Sequence, residues 1–119
     1  MSEVIRLNEK LGQFDDRWSP RTVATYNGND VMVVKIEGEF DWHKHNDTDD
    51  FFHVLAGQLE IDIEGFDTRT LFPGDICIVP KGQLHRPRTV NGVVHLLLME
   101  PTGTPNSGDP ATATPRQLL

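Results

Sequence analysis

His43, His45 and His85 are the residues of this chain whose type and spacing could do chemistry, and the chemistry they suggest is metal binding. Two histidines at i and i+2 of an extended strand point to the same face, because side chains alternate with period 2. Their Cα atoms then lie roughly 7 Å apart, near enough for both imidazoles to reach one ion at about 2.0–2.1 Å. His85 follows forty residues later, beyond the turn-forming run Pro80-Lys81-Gly82. Three imidazoles with a carboxylate make a nitrogen and oxygen set that suits Fe, Mn, Ni, Co or Zn, whereas calcium takes oxygen ligands. Asp47, Asp49 and Asp50 are the nearby carboxylates, in a stretch that also reads as a solvated acidic loop. Asp50 is the first choice as ligand, Asp49 is its rival by one step of register, and a site of three histidines alone stays open.

The residues around these histidines extend the pattern. The first stretch reads Gly38-x4-His43-x-His45-x4-Asp50-x6-Gly57, and the second reads Gly74-Asp75-x4-Pro80-x-Gly82-x2-His85. Together they resemble the two motifs of the cupin superfamily, and the region from Gly38 to Pro101 is similar to small single-domain cupins. In that superfamily the two histidines of H-x-H, a glutamate and the histidine after P-x-G hold a metal. The resemblance therefore implies His43, His45, Asp50 and His85 as ligands of one divalent transition metal per chain, with iron mildly favoured. Asp50 departs from the usual Glu and is one methylene shorter, a deficit of about 1.5 Å. Thr89 stands where the second motif often ends in Asn.

The elements that would carry these residues are mostly strands. Val23 to Tyr26 and Val31 to Ile36 flank Asn27-Gly28-Asn29-Asp30, a hairpin signal. Phe51 to Leu55, Leu59 to Ile63, Thr68 to Phe72 and Ile76 to Val79 follow, separated by glycine-containing turns, and Asn91-Gly92 is another two-residue turn. Short strands at this spacing argue for an all-β sandwich or barrel. The resemblance narrows that to the cupin double-stranded β-helix, a jelly-roll barrel with its site inside. At the front, Ser2 as a cap with Val4, Leu7, Leu11 and Phe14 on one side predicts a short N-terminal helix. The expected division is a helical extension over 1–18, the barrel over 19–100, and an extended or mobile tail over 101–119, whose Pro, Thr, Gly, Ser and Ala offer little to bury.

Parity sorts the remaining candidates. If Asp50 faces the barrel interior, Phe52 and Val54 line its cavity, while Phe51, His53 and Leu55 face outward and form an apolar surface suited to a homodimer. His95 reads as a satisfied core histidine and Cys77 as a small buried hydrophobe. Phe40 and Trp42, opposite in parity to the histidines, read as packing. Lys81 and Arg86 read as solvated cations that could also meet an anionic substrate.

Composition excludes several functions. The chain has 119 residues, enough for one domain, and 18 acidic against 11 basic residues give a formal charge of −7. That balance argues against nucleic-acid and anionic-membrane partners, which need clustered Lys and Arg. A single cysteine fits a reducing compartment, and the first residues lack a signal-peptide core, so the expected location is cytoplasmic. No nucleophile elbow or dinucleotide fingerprint is present. The function expected is a mononuclear metal-dependent enzyme of oxygenase, isomerase or lyase type acting on a small organic molecule. The alternative is a non-catalytic module for a small molecule or sugar, with the metal structural or absent.

Overall fold

The computed structural model describes residues 2–105, 108 and 117–119. One short helix, α1 (Leu7–Leu11), precedes nine strands: β1 (Arg21–Tyr26), β2 (Asn29–Ile36), β3 (Asp50–Ala56), β4 (Leu59–Ile63), β5 (Arg69–Leu71), β6 (Ile76–Val79), β7 (His85–Thr89), β8 (Val94–Pro101) and β9 (Gln117–Leu118). They form a six-stranded sheet in the order β6-β3-β8-β2-β1-β9 and a three-stranded sheet in the order β5-β4-β7. Their inner faces meet around Val34, Ile36, Phe52, Val54, Leu59, Ile61 and Leu96. This is the jelly-roll barrel, two sheets packed on one apolar core.

Local chemistry explains much of this path. Asn27 and Gly28 both have positive φ, as a two-residue hairpin turn requires, so β2 starts at Asn29 rather than Val31. Gly57, also at positive φ, lets the β3–β4 turn press against β8. A Cβ there would sit 2.8 Å from the carbonyl oxygen of Val93 and 2.9 Å from Val94 Cγ2.

The structure departs from expectation in four places. The N-terminal helix is shorter than predicted, because Ser2 caps nothing and Val4 is largely exposed. A helix this short gains little from its own hydrogen bonds; it persists because Leu11 and Phe14 pack on the outer face of the six-stranded sheet, against Val33. β7 was not apparent as a strand because Pro87 interrupts it. Pro87 is tolerated because β7 is an edge of its sheet, and the side lacking the N–H donor faces the irregular segment 38–43, where the Phe40 N–H donates to the Pro87 carbonyl. Asn91-Gly92 makes no hairpin; it passes the chain from β7 in one sheet to β8 in the other. Finally, Gln117–Leu118 pairs in parallel with Arg21–Thr22, so the end of the chain adds a strand to the sheet edge. The rest of the predicted tail, residues 106–107 and 109–116, lies outside the described residues.

Candidate metal centre

The site forms where three chain segments converge. Asp50 opens β3 and His85 opens β7, while His43 pairs with His85 through a two-way backbone bridge whose N–H···O distances are both 2.9 Å. His45 is held next to the Pro80–Gly82 turn, where its carbonyl accepts the Gly82 N–H at 2.7 Å. The H-x-H alternation puts both imidazoles on the side where β3 and β7 begin. All four side chains are buried, His85 to 1 % exposure.

The four groups meet at one atom. Asp50 Oδ2 lies 2.8 Å from His85 Nε2, 3.5 Å from His45 Nε2 and 3.9 Å from His43 Nε2. Ligand atoms of His43, His45 and Asp50 fall within 4.8 Å of one another, a spacing that could hold a metal ion. The shorter reach of Asp is therefore made up by the backbone, since pairing with Val79 on β6 sets Asp50 against the histidines. Asp49, the rival, turns away: its Oδ1 accepts the Lys81 N–H at 3.0 Å and steadies the turn before His85.

Two backbone carbonyls orient the imidazoles. His43 Nδ1–H donates to the Asp41 carbonyl at 2.9 Å, and His85 Nδ1–H donates to the Gln83 carbonyl at 2.8 Å. A carbonyl only accepts, so Nδ1 carries the proton and the neutral ring leaves a lone pair on Nε2. Such an outer bond is the usual device that aims a metal-binding histidine. Bare Nε2 lone pairs repel a carboxylate oxygen at these distances, so a positive centre, proton or metal, belongs among them. The donor set fits a divalent transition ion.

Electrostatics agree. Burial pushes the His43 imidazole below its ordinary value, against the bond to Asp41, and so favours the neutral form a metal needs. Burial works against the Asp50 carboxylate; with Nε2 of His45 and His85 protonated, their hydrogen bonds to it outweigh burial and hold the group at about 2. Asp50 is an anion at neutral pH. Ring edges steady the cluster: Phe40 meets His43 edge-on at 5.0 Å between centroids, and Phe52 meets His85 at 6.1 Å.

Beside the cluster, a cavity of about 50 Å³ runs into the barrel between Phe40, Phe52 and Leu98. Phe52 lines it as expected. Val54 does not, because it lies deeper in the closed core. A larger opening of about 300 Å³ lies between Asn46–Thr48 and the segment from Pro101 to Pro105, and His45 forms part of its wall. The cavity also exposes a residue that motif reading missed. Glu100, near the end of β8, is buried at 5 % exposure in the same wall as His43 and Asp50. Its signal was available: it shares inward parity with Leu96 and Leu98, positions otherwise apolar.

The other candidates sit elsewhere. His53 faces outward, as predicted. His95 is not in the core; it lies half-buried on the outer face opposite Lys35, where partial burial and the Lys35 charge lower its pKa. Cys77 points inward opposite Phe52, and burial pushes its thiol up. Phe40 stacks on Trp18 at 5.1 Å, while Trp42 lies outside beneath the Arg86 guanidinium at 5.0 Å. Arg86 is not free for a substrate, since with Arg88 it clamps Asp62 through bonds of 2.8 Å, and those arginines hold the Asp62 carboxyl well below the usual range.

Comparison with known proteins accords with this architecture. Residues 30–99 match the family model described as a cupin domain. The uncharacterized protein YdbB of Bacillus subtilis (strain 168) is 32 % identical over 96 residues, covering 81 % of this chain and 85 % of that protein. Among solved structures, a cupin-2 domain containing protein from Shewanella frigidimarina is 39 % identical with a TM-score of 0.79, covering 82 % of this chain and 94 % of the other. The DMSP lyase DddQ from Ruegeria pomeroyi is 29 % identical with a TM-score of 0.55, covering 62 % of this chain and 38 % of the lyase.

Proposed function

The chain belongs to the cupin domain family, and we propose that it is a mononuclear metal enzyme acting on a small organic molecule. His43, His45, Asp50 and His85 hold one divalent transition ion, with iron first among Fe, Mn, Ni, Co and Zn. The observation that carries this reading is the convergence of three imidazole Nε2 atoms on Asp50 Oδ2, two of those rings being aimed by backbone carbonyls. When bound, the ion supplies Lewis acidity, and as iron the capacity for dioxygen chemistry. The protein supplies the rest. Nδ1–H bonds to Asp41 and Gln83 hold the rings in register, and Phe40 and Phe52 keep water from the inner side of the site, which strengthens charge interactions there. The opening beside His45 admits the ligand, and the narrow cavity receives its smallest end. Likeness to a lyase supports an enzyme over a purely structural module, and puts lyase chemistry beside oxygenase and isomerase chemistry as the reaction types to assay.

The test is metal analysis of protein purified without chelators or nickel resin, followed by turnover assays on small-molecule panels in air and under anaerobic conditions. About one transition metal per chain is expected. No native metal, and no uptake of Fe, Mn, Ni, Co or Zn, would reject the centre. A loaded protein that turns over nothing across a broad panel would favour the non-catalytic binding module.

The homodimer is part of the same reading. The outer-face cluster built on Leu11 and Phe14 takes up Leu55, which was expected on the dimer surface, and includes neither Phe51 nor His53. Outside that cluster, register sets Phe51 opposite Ile78 and His53 opposite Ile76, with Ile76 and Ile78 60 % and 46 % exposed on edge strand β6. An apolar edge strand left open is prone to pair with another chain, and a second copy would cover it. Sedimentation equilibrium at micromolar concentration should give twice the chain mass of 13.4 kDa, and Ile78→Lys should return it to monomer. A monomeric wild-type mass would overturn the dimer.

A further inference from the structure

Trp18 has a backbone conformation that bulky residues seldom adopt. Its φ is +60°, in the left-handed region, where a tryptophan is an outlier that persists only if its surroundings impose it. Among the described residues the other non-glycine at positive φ is Asn27, which the tight turn between β1 and β2 accounts for. No hairpin accounts for Trp18, which lies between α1 and β1. Its surroundings do impose the conformation. The Trp18 N–H donates to the Lys35 carbonyl at 2.8 Å, and the indole Nε1–H donates to the Glu37 carbonyl at 2.9 Å. So held, the indole stacks on Phe40, with 5.1 Å between centroids and 25° between planes, and packs against the apolar core. It lines the inner cavity together with Phe40, Phe52 and the proposed ligands His43 and Asp50. Because the residue is only half-buried, the indole forms a wall between that cavity and the surface.

We propose that Trp18 sets the size of ligand this site accepts: its indole occupies the space that a ring on the bound molecule would need, so the site selects small acyclic molecules. This rests on the metal-centre reading, in which the ion anchors the ligand beside His43 and Asp50. The cavity that the indole leaves is about 50 Å³. An apolar cavity that takes up benzene measures about 150 Å³, so the inner end of the site has room for a short chain and none for a ring. The wall is also rigid. Two hydrogen bonds and the Phe40 stack fix the indole, and a close-packed interior does not give way to an oversized group without strain. Filling space alone asks for no strained backbone, since an aliphatic side chain at negative φ would do it. A wall that has to stand at one place against the ligand does ask for one, and strain of this kind clusters at such sites.

The experiment titrates Co(II)-loaded full-length protein, without oxygen, with acetohydroxamic acid and benzohydroxamic acid, and reads binding from the visible spectrum. The two probes share one metal-binding group and differ in a methyl against a phenyl tail. Wild type should bind the phenyl probe at least ~10-fold more weakly, since one extra methylene in a tight apolar pocket is already worth about 10–200-fold. Trp18→Gly removes the indole and suits the positive φ. It should keep its Co(II), bind benzohydroxamic acid at least ~10-fold tighter than wild type, and leave acetohydroxamic acid within about threefold. Trp18→Leu keeps a smaller apolar plug and should shift the same preference by at least about threefold; it serves alone if Trp18→Gly fails to fold or to load. Trp42→Phe, outside beneath Arg86, should change neither affinity. If Trp18 only stabilised the fold, both probes would move together and the ratio of their affinities would stay at its wild-type value. That result, or wild-type protein binding the two probes equally, overturns the proposal. Wild-type protein that takes up no Co(II) would instead overturn the metal centre on which it stands.

Discussion

His85→Ala should purify with less than a tenth of the wild-type metal content and bind added metal at least ~100-fold more weakly, since loss of an outer partner alone commonly costs about 10–100-fold. Two effects combine. The variant loses a nitrogen donor whose ring is already aimed, and Asp50 loses the 2.8 Å contact that holds its carboxylate in place. The fold should survive, because the bridge between His43 and His85 is made by backbone atoms. Elemental analysis with titration calorimetry reads the loss, and circular dichroism reads the fold. His95→Ala, on the outer face, serves as the control and should bind normally. Full metal content in His85→Ala would mean that His43, His45 and Asp50 suffice, and that His85 is a support rather than a ligand.

Saturating metal should raise the melting temperature by roughly 15 °C at pH 7.5, and chelation should remove the gain. A ligand present at about 1,000 times its Kd adds about 4 kcal/mol to unfolding, and in a domain of this size each kcal/mol is worth about 4 °C. The gain should shrink as pH falls to 5.5, because protons compete with the ion for imidazole nitrogen. The metal-free protein should weaken in the same direction. Burial holds the folded-state pKa of His43 below its ordinary value near 6.5, so the unfolded chain binds more protons; that contribution is complete above about 6.5 and is lost as pH falls below it. Asp50, at about 2 against an ordinary 3.8, adds stability that is present above about pH 4 and lost as pH falls toward 2. Calorimetric scans at pH 7.5, 5.5 and 2.5, with and without metal, read both steps. A metal-induced shift of equal size at pH 7.5 and 5.5 would show that the histidines do not hold the ion.

Some of this protein was determined by the sequence alone. Alternation along a strand puts His43 and His45 on one face whatever else the chain does, and Asn27-Gly28 can hardly make anything but a tight hairpin. The motif glycines, with His85 after Pro80-x-Gly82, carried the fold class. These features are local, decided by backbone sterics and side-chain parity within a few residues. What the sequence left open depends on residues far apart. Whether Asp49 or Asp50 meets the histidines is settled by the pairing of Asp50 with Val79, and by Asp49 being engaged with the Lys81 amide. β7 exists despite Pro87 because its irregular neighbour, the 38–43 segment, needs no donor from that residue. Glu100 reads as one polar residue at the end of an apolar strand until β8 folds beside β3 and turns it into the cavity that Asp50 shares. The size of that cavity is set by how closely two sheets approach, a property of packed side chains from both sheets that no single segment contains.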